Sequence, residues 1–259
     1  MVLLIIILIL ILFILSNNFF RKIEYYSEKN IIFYRKNNLY KILKKDDDKY
    51  FESFFENDYK VRNIRNINEY YEILENSLCD PDEEIINKIK NYIIIIKNKL
   101  KNINRKKYGL IDLDKFKNIK WKIGLVCDNK YENGLPHTRN DIIILNKNKI
   151  NFNSDKKNIK TLIHEQIHVY QKLFPENIKK YLDYHKFKKI KKITKFDNIR
   201  ANPDLDNYIY QDKNNNTYKA TYNKNPTSIE DITYFPYNSQ FYEHPNERMA
   251  IEFESIIDN

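Results

Sequence analysis

His164, Glu165 and His168 are the residues whose types and spacing point most directly to chemistry. They stand in the segment Thr161-Leu162-Ile163-His164-Glu165-Gln166-Ile167-His168-Val169-Tyr170-Gln171, which contains His-Glu-x-x-His. On an α-helix, residues i and i+4 lie one above the other on the same face. His164 and His168 would therefore aim two imidazoles at one point, the geometry that holds one Zn²⁺ per chain. Glu165, beside the open coordination position, is placed to take a proton from the attacking water and pass it to a leaving group. The alternative is a pair of core histidines with an incidental Glu, which would leave costly buried polar groups to satisfy.

The flanking sequence supports the helix. Leu162, Ile163, Ile167, Val169, Tyr170, Leu173 and Phe174 are apolar, and neither Gly nor Pro interrupts before Pro175. Apolar residues on most faces predict a buried helix, beginning near Asn158 after the turn residues Asn153-Ser154-Asp155. Two strands are predicted upstream, over 120–127 and 142–145, with a turn at Asn133-Gly134. Asp80-Pro81-Asp82-Glu83-Glu84 reads as a helix start, with Asp80 as N-cap and Pro81 in the first turn. Ile85, Ile86, Ile89, Tyr92, Ile93 and Ile96 form the apolar side of that helix, which ends near Asn104. Further upstream, 31–34 and 39–43 read as short strands. Asp46-Asp47-Asp48 reads as the start of a helix through Phe55, and 70–78 as another helix. Beyond Pro175, the basic stretch 179–194 reads as a helix, 208–210 and 218–222 as a hairpin, and 232–237 as extended.

The order helix, strands, last strand, His-Glu-x-x-His helix resembles that of the zincin metallopeptidases. The resemblance implies an α+β fold: a small mixed sheet packed on the active-site helix, with a mainly helical C-terminal part. It also implies that the last strand before that helix is the sheet edge, on which substrate pairs as an added strand. Asp141, Ile143 and the rest of 141–145 would then be the substrate edge. His137 would sit at the mouth of the cleft, touching substrate or merely capping a turn.

A catalytic zinc usually takes three protein ligands and a water. The metzincin pattern is not met, because Gln171 stands at its Gly position and Phe174 at its third His. Asn246-Glu247-x-x-Ala250 resembles the Asn-Glu-x-x-Ala segment of gluzincins, which implies Glu247 as the third ligand. His244 and Glu243 are the alternatives. Zincins often answer the developing oxyanion with a Tyr or His from the C-terminal half; Tyr234, Tyr237 and Tyr242 precede Glu247 and are the candidates.

Residues 1–20 form a region of their own. An unbroken apolar run from Val2 to Leu15 is followed by Ser16-Asn17-Asn18, Phe19-Phe20 and the basic pair Arg21-Lys22. An uncleaved single-pass N-terminal anchor is the expectation; a cleaved signal peptide and a buried core segment are the alternatives. The basic flank over 21–45 favours a cytoplasmic domain by the positive-inside rule, whereas the sequon Asn215-Asn216-Thr217 points the other way. Residues 21–80 then read as a juxtamembrane, partly helical region and 81–259 as the zincin-like domain. An anchored zincin-like pattern in an Asn-, Ile-, Lys- and Tyr-rich chain is similar to that of uncharacterised zincin-like proteins of large DNA viruses.

Composition sets the remaining bounds. The chain has 259 residues and a formal net charge of +10, with 3 Gly. A basic balance permits contact with nucleic acid or anionic lipid, but no zinc-finger, recognition-helix or phosphate-loop pattern is present, so no specific nucleic-acid partner is expected. Cys79 and Cys127 form no C-x-x-C pair; one disulfide or two free thiols are both open. The expected function is a membrane-anchored, zinc-dependent metallopeptidase acting on a peptide or protein. The alternative is a catalytically inactive zincin-fold binding or structural protein at a membrane.

Overall fold

The structure, a computed structural model, describes residues 25–28, 30–103, 108–236 and 243–258. The hydrophobic anchor expected over 1–20 lies outside the described residues. Among the described residues no helix is long and apolar enough to cross a membrane.

The chain opens with β1 (Tyr25–Glu28) and β2 (Ile31–Tyr34), then α1 (Lys36–Leu43), α2 (Glu56–Val61), α3 (Ile67–Ser77), α4 (Glu83–Lys101) and α5 (Leu113–Asn118). Next come β3 (Trp121–Val126), β4 (His137–Arg139), β5 (Ile142–Asn146), α6 (Lys147–Phe152), α7 (Asp155–Leu173) and α8 (Pro175–His185). β6 (Lys188–Lys192), β7 (Tyr208–Gln211), β8 (Thr217–Tyr222), β9 (Ile232–Phe235) and α9 (Pro245–Glu254) follow.

The architecture is α+β. One sheet is mixed and five-stranded, in the order β1-β2-β3-β5-β4, with β2, β3 and β5 parallel and both outer pairs antiparallel. Ile123, Leu125, Ile143 and Leu145 pack one face of it onto Ile85, Ile89 and Ile93 of α4 and Ile159, Ile163 and Ile167 of α7. Val126, Ile142 and Ile144 pack the other face onto Leu39 and Leu43 of α1 and Tyr70 and Leu74 of α3. Each such aliphatic side chain contributes roughly 1.5–3 kcal/mol on full burial. Gly124 permits the close approach of α1, since a Cβ there would collide with Leu39 and Ile144.

Several sequence expectations are corrected. Residues 39–43 are helical, because Leu39 and Leu43 are an i,i+4 pair buried on one face. Asp46 and Lys49 adopt positive φ, and the Asp46 and Asp48 carboxylates bind Arg139 instead of opening a helix; only a short 3₁₀ turn, Phe51–Ser53, forms there. The cap of α4 is Asp82, which accepts from the Ile85 amide, while Asp80 accepts from Lys36. The division at residue 80 is not a division in the fold, since β2 pairs with β3 and α1 and α3 cover the sheet.

The C-terminal part is not mainly helical. β6 to β9 make a four-stranded antiparallel sheet, and the hairpin of β7 and β8 matches expectation. The helix expected over 179–194 stops at His185, where Lys186 turns left-handed at φ 58°. The following Lys-Lys-Ile-Lys-Lys is the exposed edge strand β6, and lysines on an edge discourage pairing with another chain.

Cys79 and Cys127 are joined by a disulfide. The Cys79 amide donates to the Leu125 carbonyl (3.1 Å) and the Cys127 amide to the Ser77 carbonyl (2.9 Å), around a bridge between Leu78 and Val126. The bond closes a span of 48 residues. Cys79→Ser is expected to destabilise the fold by about 2–4 kcal/mol, chiefly by freeing the unfolded chain. Urea unfolding of the two proteins without reductant measures this; equal midpoints would contradict it.

Candidate metal centre and cleft

Helix α7 positions the histidines. Ser154 caps it by accepting from the Lys157 amide, and it runs unbroken to Leu173, where Pro175 starts α8. Ile163 and Ile167 are fully buried against the sheet, so the 3.6-residue period turns His164 and His168 toward α9. Helix α9 starts with His244 as N-cap and Pro245 in its first turn. Met249, Ala250 and Phe253 are fully buried, and the small Ala250 lets the two helices approach.

Glu247 meets the histidines there. Its Oε2 lies 3.2 Å from His164 Nε2 and its Oε1 lies 3.6 Å from His168 Nε2. Ligand atoms from all three residues lie within 4.8 Å of one another. A tetrahedral Zn²⁺ with ligands at about 2.0–2.2 Å needs them roughly 3.3 Å apart, so this donor set fits.

Both rings are oriented by hydrogen bonds at Nδ1. His164 Nδ1 is 3.2 Å from Glu254 Oε2, and His168 Nδ1 is 2.9 Å from Gln171 Oε1. Each acceptor fixes a proton on Nδ1, and each Nε2 faces Glu247, where a cation would take the place of the ring's second proton. Gln171 is itself fixed by donating to the Asn246 carbonyl at 2.9 Å. His168 Nε2 is buried with no hydrogen-bond partner, an orphan that a metal would satisfy. Burial works against charge on His164, but the Glu247 and Glu254 carboxylates outweigh it and raise the imidazole well above its ordinary value. Burial likewise opposes ionisation of Glu247, yet the two histidines hold it well below the carboxylate range.

The alternative ligands are engaged elsewhere. His244 Nδ1 accepts from the Asn246 amide (3.1 Å), and its Nε2 donates to Asp206 (3.0 Å). Glu243 binds Arg200 and Asn202.

A cavity of about 320 Å³ opens beside the triad, lined among others by His137, His164, Glu165, Arg200, Asp204, Tyr234 and Glu247. Glu165 is 3 % exposed and its Oε2 has no partner. Burial, reinforced by Asp204, pushes its carboxyl up to about 8. His137 Nδ1 donates to the Leu135 carbonyl at 2.9 Å, and burial lowers its pKa, so the unpartnered Nε2 is a bare acceptor. Arg200 Nε is a buried donor without a partner. Tyr234, on β9, lines the same cavity, whereas Tyr237 and Tyr242 lie outside the described residues.

The expected substrate edge is corrected. β5 is paired on both sides, by β3 and β4. Its run Ile-Ile-Ile-Leu is continuous because both faces are buried. Ile143 is core, and Asp141 forms an ion pair with Lys122 away from the cavity. The edge on this side of the sheet is β4, and its outward amides are taken. Pro136 has none, the Thr138 N–H donates to Asp204 (2.7 Å), and the Asn140 N–H donates to Asp48 (3.0 Å). The Thr138 carbonyl accepts from Lys172 at 2.8 Å. Burial lowers the pKa of that lysine against the pull of Asp204 and Asp48.

The sequence patterns above do not single out Glu254, Arg200, Asn202 or Asp204. Glu254 follows Glu247 by seven residues, two turns on the same face, a spacing legible in the sequence. Segment 200–204 carries no such signal. It is placed by a bridge from Ile199 to Thr221 and by the Ala201 amide donating to Asp58 (3.0 Å). No protein-family model, curated protein or solved structure matches the chain.

Proposed function

We propose that this chain is a zinc-dependent metallopeptidase of the gluzincin type, held at a membrane by residues 1–20. The observation that carries the proposal is the convergence of His164, His168 and Glu247 at the wall of a cavity where Glu165 presents an unpartnered carboxylate oxygen. Zn²⁺ bound there would act as a Lewis acid toward water and the substrate carbonyl.

The chain's own residues supply the remaining parts. Glu165 takes a proton from the attacking water and returns it to the leaving amine. Tyr234, which lines the cavity, would donate to the oxyanion. The bare Nε2 of His137 accepts from a substrate N–H and so orients the peptide. Peptide or protein is the substrate class, and no nucleic-acid partner is proposed.

Elemental analysis of the purified full-length chain tests the metal. One zinc per chain is expected in the wild type and none in His168→Ala or Glu247→Ala. Zinc lost in the first variant but kept in the second would reject Glu247 as a ligand.

One observation favours a second reading, a zinc-holding zincin-type binding protein without turnover. The outward amides of β4 are already bonded, so no added strand can form without displacing Asp204. Stoichiometric zinc with no cleavage across a peptide panel would select this reading over the first.

A further inference from the structure

Two features outside the cavity lining bear on the compartment in which the domain folds. The turn between β7 and β8 carries Asn215-Asn216-Thr217, the acceptor pattern for N-glycosylation. Asn225-Pro226-Thr227 has the same spacing, but its central proline disqualifies it. Asn215 is exposed at the hairpin tip with φ 65°. Its backbone is anchored: the amide donates to the Asp212 carbonyl (3.1 Å) and the carbonyl accepts from Gln211 Nε2 (3.0 Å). The acceptor is thus presented on a firm turn at the surface.

The second feature is independent. Cys79 and Cys127 are paired in a disulfide, and such bonds form and persist in oxidising compartments. The apolar run Val2 to Leu15 is of the kind that delivers a chain across a membrane. The basic flank over 21–45 favours the opposite side by the charge rule; the sequon and the disulfide weigh against it.

We infer that the domain folds on the oxidising, exoplasmic side of its membrane and that Asn215 is N-glycosylated there. In the transfer, Asn215 Nδ2 forms a bond to the anomeric carbon of a lipid-linked oligosaccharide. The anomeric C–O bond to the lipid pyrophosphate breaks, the pyrophosphate leaves with that electron pair, and the amide proton goes to the transferase base. In disulfide formation the two thiols give up two protons and two electrons to a dithiol-disulfide oxidant, which is reduced. The inference does not depend on the metallopeptidase reading and stands or falls separately from it.

The test is translation of the full-length chain in the presence of secretory-pathway membranes. The expected result is a single mobility step on a gel, removed by an endoglycosidase and lost in both Asn215→Gln and Thr217→Ala. Thr217→Ala leaves the left-handed Asn215 in place, so loss in both variants reports the acceptor and not a misfolded turn. In the wild type, the domain is expected to be protected from external protease and its cysteines to resist alkylation until reduced. No mobility step in the wild-type chain overturns the inference, as does a step that survives in both variants. Protease-accessible chain with both thiols alkylated overturns it as well.

Discussion

Glu165→Gln is expected to keep one zinc per chain and to slow peptide hydrolysis by about 10²–10⁴-fold, the usual contribution of a positioned acid-base group. Gln has the same shape and touches the cavity in the same place, but it cannot take up a proton. Glu165 is not one of the converging ligands, so metal content should not follow activity. Burial and Asp204 push this carboxyl up to about 8 without a metal; a dication held beside it would favour the carboxylate that the base role requires. Parallel zinc analysis and peptide-cleavage assays on the same preparations read both quantities. Hydrolysis at the wild-type rate in Glu165→Gln would reject the mechanism, and zinc lost together with activity would show that the variant damages the site.

What could be read from the sequence was local. His164 and His168 share a face because i and i+4 always do on a helix, and the apolar positions around them announce that helix without reference to anything distant. Glu247 was reachable through a short pattern on its own helix. The sheet was harder. Ile142 to Leu145 looks like a strand in any fold, but whether it is edge or centre depends on β4, a three-residue strand too short to signal itself. The unbroken apolar run was nevertheless a sign of burial on both faces, and it argued against an edge. Segment 200–204 was not legible at all, since its place depends on contacts with Thr221 and Asp58, about 20 and 140 residues away in sequence. The Asp46 to Asp48 run misled for a related reason. Carboxylates that commonly open a helix are here claimed by a buried guanidinium more than 90 residues later.

The same long-range dependence sets the second large effect. Arg62→Ala is expected to destabilise the fold by about 3–5 kcal/mol, because it leaves buried carboxylates without their counter-charge. The Arg62 side chain is 3 % exposed and binds Glu132 at 2.7 Å and Asp58 at 3.2 Å, whose side chains are 6 % and 1 % exposed. Glu132 also accepts from Tyr50 and Tyr70 (3.0 Å each), and Asp58 from the Ala201 amide (3.0 Å) and Tyr222 (2.8 Å). Arg62 therefore braces both the Glu132 wall of the cavity and the segment that carries Arg200 and Asp204. The pH dependence gives the effect a signature. In the wild type, burial pushes the Glu132 carboxyl up, but Arg62 prevails and holds it below its ordinary value. Stability from that pair is present above the unfolded carboxylate pKa and is lost as pH falls through the folded one. Without Arg62, Glu132 loses its main opposition to burial, keeping only the weaker help of His137 and the Tyr70 hydroxyl, and Asp58, already raised by burial in the wild type, rises further. The folded variant then binds more protons than the unfolded chain, so it gains stability on acidification. Urea unfolding at pH 7 and pH 5 should show the deficit of Arg62→Ala shrinking at the lower pH. A deficit that is constant, or that grows on acidification, would mean that Arg62 acts through packing rather than as the counter-charge of Glu132 and Asp58.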